Sequence, residues 1–300
     1  SLCCPSVGHQ ARRNAVERVR LWNPWSDREP WMRTHRVRMY LLGSGSHWLA
    51  PPARFVIVTP GRSGSELLTD LLNSHPQITC DAEILRDRTA RPELFVAGRA
   101  AKAGLSGARA YGFKIHCGHF GYQFLREHPG YLRQAAATGA TLLFLRRRNL
   151  LAQAVSSTIA RQTRWHWRKQ DAPVFTAPEL DPVEILMMAY LFEESDAYLA
   201  SLLSPLPHDT YVYESDLLEP ARQRATVQQI CAGLGVDEAP TRSDHVRFTP
   251  PALADTIANW DAVAELIGST RFARFLDSSN ERPGLDCPAP TPATATEKTV

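Results

Sequence analysis

The chain of 300 residues lacks several features that mark common protein classes. Its six cysteines include no C-x-x-C pair and no dense framework, so we expect reduced thiols in a cytoplasmic protein rather than a zinc site or a disulfide scaffold. No run approaches the roughly 20 apolar residues that a membrane-spanning helix needs. The net charge of +3 is too small to indicate a nucleic-acid-binding protein. This charge does not exclude the binding of small anionic ligands.

Short apolar runs alternate with amphipathic segments from residue 54 onward. Continuous β-branched and apolar runs are typical of buried parallel strands, and apolar residues at helical spacing lie between several of them. The predicted strands are 55–59, 77–80, 110–117, 140–148 and 209–214. This alternation predicts an α/β protein with a P-loop-like three-layer fold, in which helices flank a mainly parallel central sheet. Ligands of such sheets bind outside the carboxyl ends of the strands.

The turn after the first predicted strand lacks the lysine of a nucleotide-binding P-loop. That loop has the sequence G-x-x-x-x-G-K-[S/T], whereas residues 60–65 are "PGRSGS", with Arg62 before the second glycine. Because the turn opens a predicted helix, the backbone amides of residues 62–65 and the hydroxyls of Ser63 and Ser65 can point at an anion. The alternative interpretation is an ordinary Gly-Ser turn.

Three consecutive arginines, Arg146, Arg147 and Arg148, end the fourth predicted strand. Ser156 follows about two turns into the next predicted helix, for which Asn149 is a natural N-cap. A run of like charges is usually a solvated loop. Here, however, two strands of one predicted sheet each end in groups that can bind an anion, and this suggests a ligand with two separate phosphates. No Walker-B-like aspartate ends this strand, which weighs against a kinase.

Together, "TPGRSGSELL" and "LRRRNLLAQAVS...ARQTRWHW" resemble two motifs of the sulfotransferase superfamily. The resemblance is to its bacterial carbohydrate branch, which includes trehalose 2-sulfotransferase and the nodulation-factor sulfotransferases. "YESDLLEP" and "GLGV" resemble later elements of that family, so the resemblance spans about residues 54–276 with gaps. It implies transfer of a sulfuryl group from 3'-phosphoadenosine-5'-phosphosulfate (PAPS) to a hydroxyl of a carbohydrate or glycolipid, without a metal.

The resemblance also assigns residues to the two ends of PAPS. They are Arg62, Ser63, Gly64 and Ser65 for the 5'-phosphosulfate, and Ser156 with Arg147 or Arg148 for the 3'-phosphate. Relatives place the key arginine eight or nine positions before the serine, and both positions are arginine here. Many relatives have lysine where this chain has Arg62. Arginine stays protonated, and it would stabilise charge on the oxygen between phosphorus and sulfur.

An acceptor hydroxyl is a poor nucleophile and benefits from a base. Glu83, just after the second predicted strand, matches a glutamate of the relatives and is the first candidate, with Asp81 as its local competitor. His116 and His119 are second candidates, and Lys114 resembles a lysine that would steady the transferring group. Without the family, the favoured interpretation of Glu83 is a helix-capping or surface carboxylate, that of each histidine a structural residue, and that of Lys114 an ordinary lysine with a partly buried stem.

Further residues have weaker assignments. Trp165, Trp167 and Tyr122 would stack on a sugar or on adenine, or belong to the core, and Arg271 is a candidate contact of the cofactor.

For the domain organisation, we expect a poorly specified N-terminal extension (1–50), a sulfotransferase domain (51–278) and a disordered tail rich in Pro, Thr and Ala (279–300). Two alternative functions remain. One is a P-loop kinase-like phosphotransferase that uses Mg²⁺ and ATP, and the other is a catalytically idle nucleotide-binding relative.

Overall fold

A computed structural model describes residues 30–45, 52–86, 89, 91–121, 130–163, 175–244, 250 and 252–276. Within these ranges, five strands form one sheet in the order β2-β3-β1-β4-β5, and every neighbouring pair is parallel. The strands are β1 (Ala53–Thr59), β2 (Ile78–Asp81), β3 (Ala110–His116), β4 (Ala140–Arg146) and β5 (Asp209–Val212). The predicted α/β fold with a parallel central sheet is confirmed.

Helices cover both faces of the sheet. Their bounds are α1 Pro30–Gly45, α2 Ser65–Asn73, α3 Pro92–Leu105, α4 Tyr131–Ala137, α5 Leu150–Thr163, α6 Pro182–Leu203, α7 Pro220–Leu234 and α8 Trp260–Gly268. None of these helices is both long enough and apolar enough to cross a membrane. Shorter helical turns lie at Gly118–Gly121, Ala254–Thr256 and Arg271–Phe275.

The buried strand β1 explains the three layers. Successive side chains of a strand point to opposite faces. Phe55 and Ile57 share a core cluster with α2 and α7, whereas Val56 and Val58 share one with α1, α3, α4 and α6. A third cluster joins α5, α6 and α8 beside the sheet. The apolar run of β1 is therefore continuous because both of its faces are covered.

Two helix ends have the capping residues that the sequence predicts, whereas the predicted end of the fifth strand is wrong. Asn149 caps α5 as predicted, since its Oδ1 accepts a hydrogen bond from Ala152 N at 2.8 Å. Gly235 closes α7 in the left-handed conformation, with φ 64°. The prediction that the fifth strand runs to Glu214 is wrong, because β5 ends at Val212 and Tyr213–Leu217 form one π-helical turn.

Helix α1 lies within the part of the chain that the sequence analysis treats as an extension. It packs closely against α3, where a Cβ built on Gly98 would lie 1.9 Å from the backbone oxygen of Met39. Met39 itself is buried. The sequence prediction contains none of α1, α3 and α4. The Pro/Thr/Ala tail at 279–300 lies outside the described residues.

Candidate active site

The predicted site residues meet along the carboxyl edge of the sheet. Because all strands are parallel, their carboxyl ends share one edge. Following the sheet order, Glu83 comes after β2, Lys114 and His116 belong to the end of β3, and the glycine turn follows β1. The arginines follow β4, and the π-helical turn follows β5. The glycine turn is thus flanked by the base candidates on one side and by the arginines on the other.

The glycine turn itself has an unusual backbone. Gly61, Arg62 and Gly64 all have positive φ, at 98°, 54° and 83°. Arg62 is the sole non-glycine residue of the described chain with this conformation, which costs free energy and is concentrated at functional sites. Thr59 Oγ1 holds the turn by accepting from Gly61 N at 3.1 Å and by pairing with the buried hydroxyl of Ser63.

Two glycines of the turn leave no space for a side chain. A Cβ on Gly61 would lie 2.1 Å from His116 Nε2, and one on Gly64 would lie 2.5 Å from the Tyr213 ring. The turn therefore packs directly against the ends of β3 and β5. Gly64 also precedes the first residue of α2, where backbone amides have no partner within the helix. This geometry suits an anion.

Arg62 joins the two predicted halves of the site. Its guanidinium donates to Ser156 Oγ from Nε at 3.2 Å and from Nη2 at 3.0 Å. Arg147 Nη1 in turn donates to the backbone oxygen of Arg62 at 3.3 Å. Burial and then the nearby charge of Arg147 lower the pKa of Arg62. Two guanidinium groups are thus held together at the ends of the adjacent central strands β1 and β4.

The three consecutive arginines have different surroundings. Arg146 forms a bidentate ion pair with Asp196 of α6, which satisfies its charge away from the turn. Arg147 lies over the Tyr213 ring, 5.0 Å from its centre, and its buried Nε has no hydrogen-bond partner among the described residues. The buried Nη1 of Arg148 likewise has none. Arg147 and Arg148 therefore keep donor capacity for a ligand.

Glu214 organises the loop that carries these arginines. Its carboxylate, buried to 4 % exposure, accepts from Arg148 N at 2.9 Å and from Asn149 N at 3.0 Å. Arg147 Nε lies 3.7 Å from Glu214 Oε1, within ion-pair distance. The π-helical turn after β5 thus places one carboxylate beneath the β4–α5 loop.

On the other side of the turn, Lys114 lies between two carboxylates. Its buried ammonium group pairs with Glu66 of α2 and lies 3.6 Å from Glu83 Oε1. Glu83 Oε2 lies 3.6 Å from His119 Nε2. Interaction with His119 and then the charge of Lys114 lower the pKa of Glu83 to about 2, although partial burial acts in the opposite direction. Glu83 is therefore ionised, with positive and polar groups around it.

The two histidines have defined tautomers because backbone amides bind their Nδ1 atoms. Gly118 N donates to His116 Nδ1 at 3.0 Å, and His116 N donates to His119 Nδ1 at 3.1 Å. A neutral ring that accepts at Nδ1 carries its hydrogen on Nε2. Burial lowers the pKa of His116, which favours the neutral ring. His116 thus presents an N–H donor beside Gly61, an arrangement that suits donation to an anion better than removal of a proton.

Asp81 and Arg271 are occupied in ion pairs of their own. Arg99 binds both carboxylate oxygens of Asp81, at 2.6 and 2.9 Å, and Tyr111 donates to Asp81 Oδ2 at 2.8 Å. Arg271 pairs with Glu193 of α6 and lies over the Tyr190 ring. Trp165, Trp167 and Tyr122 lie outside the described residues.

Sequence reasoning missed the supporting residues Glu66, Gln153 and Glu214. Gln153 donates from Nε2 to the backbone oxygen of Gly61, which ties α5 to the glycine turn. Glu66 directly follows the "GRSGS" motif and Gln153 lies three residues before Ser156, so proximity to the motifs was the available signal. For Glu214, the strand-like pattern around it concealed the turn.

No protein-family model matches the chain, and no curated protein matches it either. Among the described residues, no group of three or more His, Cys, Asp or Glu side chains is arranged to hold a metal ion. The geometry of the site and the sequence motifs are therefore what indicates a function.

Proposed function

We propose that the chain is a sulfotransferase that moves a sulfuryl group from PAPS to a hydroxyl of a carbohydrate or glycolipid acceptor. The observation that carries this proposal is the joining of the two motifs. Arg62 of the glycine turn donates to Ser156 of α5, and Arg147 donates to the backbone of Arg62. Like charges repel each other, so a pair of adjacent guanidinium groups favours an anionic ligand that contacts both.

The residues present fit a donor with two separate phosphate positions. The glycine turn, with its left-handed backbone and the N-terminus of α2, suits the 5'-phosphosulfate. Ser156, Arg147 and Arg148 suit the 3'-phosphate, and the buried Arg148 Nη1 has no hydrogen-bond partner among the described residues. Arginine binds phosphate through paired N–H donors, which gives orientation as well as affinity.

Bound PAPS supplies the sulfuryl group, since the acceptor oxygen bonds to sulfur while the bond from sulfur to the phosphate oxygen breaks and 3',5'-ADP leaves. Arg62 stabilises the charge that develops on the leaving oxygen. In this proposal His116, whose Nε2 lies beside Gly61, donates to the bound anion, and Lys114 holds Glu83 in place. Glu83 takes the acceptor proton.

The environment of Glu83 has a consequence for its role as a base. A carboxylate with a pKa of about 2 is a weak proton acceptor. The lowering comes from His119 and Lys114, so an anion that binds beside these groups offsets their effect and raises the pKa of Glu83. Glu83 is then a stronger base once the donor is in place. This arrangement couples proton removal to donor binding.

Turnover with PAPS tests the proposal. Lipid and carbohydrate extracts are incubated with the protein and PAPS, and mass spectrometry follows any product with a sulfate-sized gain in mass. Arg62→Ala is the matched control, because it removes the charge that the partly buried glycine turn holds beside the proposed sulfuryl group. We expect a product with the parent protein and almost none with the variant.

Two outcomes distinguish the alternative functions. Binding of 3',5'-ADP without any sulfated product from several acceptor pools favours a catalytically idle relative. Stabilisation by ATP with Mg²⁺ but not by 3',5'-ADP contradicts the proposal and favours a kinase-like phosphotransferase.

A further inference from the structure

Helix α5 contacts the glycine turn through two side chains that lie one helical turn apart. Ser156 accepts from the Arg62 guanidinium, and Gln153 donates from Nε2 to the backbone oxygen of Gly61. Gln153 is 0 % exposed. Because a carbonyl oxygen can only accept, the side-chain amide must turn its nitrogen toward Gly61. This contact therefore fixes the direction of the Gly61 carbonyl group.

Only one end of the Gln153 side-chain amide has a partner. Its oxygen, Oε1, is buried and has no hydrogen-bond partner among the described residues. The amide cannot be reversed, because its oxygen would then face the oxygen of Gly61. A buried polar atom without a partner destabilises the folded protein, and an apolar side chain of similar length would avoid that loss. Such local conflicts in a natural protein are expected at functional sites.

The peptide between Gly61 and Arg62 lies in a strained orientation. Arg62 has φ 54°, in the left-handed region that disfavours a side chain. Rotation of this peptide plane by half a turn changes φ of Arg62 by about 180°, to roughly −126°, which lies in the range of the β region. The compensating change falls on ψ of Gly61, which a glycine tolerates. Arg62 therefore favours the rotated peptide, and the hydrogen bond from Gln153 opposes the rotation.

We propose that Gln153 is a positioning residue that holds this peptide so that the backbone N–H of Arg62 faces the bound anion. Because the peptide bond is trans, this N–H points opposite to the oxygen of Gly61 and away from Gln153. The rotated peptide would put the Gly61 oxygen in place of the N–H, where it repels an anion. Gln153 thus acts through the backbone of the turn, and its role rests on the proposed binding of the 5'-phosphosulfate there.

Gln153→Met tests this role, with Gln162→Met as the matched control. Methionine keeps an unbranched side chain of similar length, but it neither donates to Gly61 nor carries an unpartnered amide oxygen. Gln162 lies on the same helix, is exposed, and also donates to a backbone oxygen, that of Glu179 at 3.4 Å. The control therefore reports what the same substitution does elsewhere in α5.

Isothermal titration of the full chain with 3',5'-ADP and with 5'-AMP measures the effect on the turn, since both ligands carry the 5'-phosphate. We expect Gln153→Met to weaken the binding of both ligands about ten-fold, because an oxygen replaces an N–H donor beside the anion. The ratio of the two affinities should stay as in the parent, and Gln162→Met should bind like the parent. The melting temperature of Gln153→Met should fall little, because the variant loses an unpartnered buried oxygen together with one hydrogen bond.

Crystal structures of the ligand-free parent and of Gln153→Met show the peptide directly. We expect a positive φ at Arg62 in the parent and a negative φ in the variant. A positive φ in both proteins would overturn the proposal, as would a lower melting temperature of Gln153→Met with unchanged affinities, which is the result for a purely structural hydrogen bond. Absence of binding to the parent would instead contradict the proposed function, and φ of Arg62 would still decide whether Gln153 holds the peptide.

Discussion

Among the single residues of the site, Glu83 shows most directly how its neighbours set its chemistry. Its pKa is lowered from 4.5 to about 2 by His119 and Lys114. A carboxyl group whose pKa is lower in the folded than in the unfolded protein stabilises the fold above the unfolded value. That contribution is lost as the pH falls through the folded value. The relevant window for Glu83 is therefore between about pH 4.5 and about pH 2.

We predict that Glu83→Gln lowers stability at neutral pH but makes it less sensitive to acid. The difference in melting temperature between the parent and the variant should shrink as the pH falls from 5 towards 2, because the unfolded parent takes up a proton below about pH 4.5 while the folded carboxylate stays charged until about pH 2. Melting curves over this pH range measure the effect. A constant difference at every pH would show that Glu83 does not interact with Lys114 and His119 as described.

The predicted roles of His116 and Ser63 show where residue-level prediction from sequence stops. The motif identifies Ser63, and its place at a predicted strand end makes His116 a candidate, yet the hydrogen bonds that orient them involve Thr59 Oγ1 and Gly118 N. The partner of His116 is a backbone amide, which no residue type specifies, and the pairing of Thr59 with Ser63 depends on how the turn folds. The identity of a side chain near a ligand can be inferred from a motif, whereas its tautomer or hydroxyl direction depends on packing.

At the scale of elements, the turn after β5 determines where the arginines lie. Glu214 accepts two backbone amides of the β4–α5 loop from a buried position. In Glu214→Gln, one carboxylate oxygen becomes an amide donor that faces a backbone N–H. We predict a loss of about 1–3 kcal/mol in the free energy of unfolding, the usual cost of an unsatisfied buried donor. Binding of 3',5'-ADP should weaken as well.

Glu219→Gln is the control for this prediction. Glu219 is exposed, and its side chain does not cap α7. Denaturant unfolding of both variants measures the difference. If the two variants unfold at the same denaturant concentration as the parent, Glu214 does not hold the loop.

The elements themselves differ in how far sequence predicts them. The strands β1 and β4 contain continuous apolar runs, β3 is rich in buried residues, and the predicted and observed positions of all three agree closely. Helix α3 escapes prediction because its sequence "PELFVAGRAAKAGL" is rich in small residues and has a weak apolar periodicity. The predicted end of β5 is wrong because Glu214 accepts hydrogen bonds from backbone amides 65 and 66 residues away in the sequence. No local sequence pattern indicates such a contact.

For the whole molecule, the contact between α1 and α3 joins the N-terminal part of the described chain to the sheet. Gly98 of α3 faces the backbone of α1, so an added methyl group collides with the oxygen of Met39 rather than with a flexible side chain. We predict that Gly98→Ala destabilises the protein despite the higher helix propensity of alanine. Its melting temperature should fall below that of the parent.

Gly233→Ala provides the opposite case in the same fold. Gly233 lies inside α7, and a Cβ there has no atom within 4 Å. Alanine should stabilise this helix by roughly 0.5–1 kcal/mol. A stabilising Gly98→Ala variant would show that α1 does not pack against α3 in solution.

The whole carboxyl edge of the sheet acts as one site in this account, because parallel strands bring motifs that are distant in sequence to the same edge. The alternation of strands and helices predicts that meeting, and the structure adds the contact between Arg62 and Ser156. The order β2-β3-β1-β4-β5 was not predicted, since pairing between strands depends on contacts across the core.

Isothermal titration with 3',5'-ADP and 5'-AMP tests the central claim most directly, since the two ligands differ by the 3'-phosphate. The account predicts that the parent protein binds 3',5'-ADP at least ten-fold more tightly, which corresponds to about 1.4 kcal/mol from charge-assisted contacts. In an Arg147→Ala/Arg148→Ala/Ser156→Ala variant this preference should disappear while the affinity for 5'-AMP stays similar. Equal affinities of the parent for the two ligands would contradict the claim that Ser156 and the arginines form a second phosphate site.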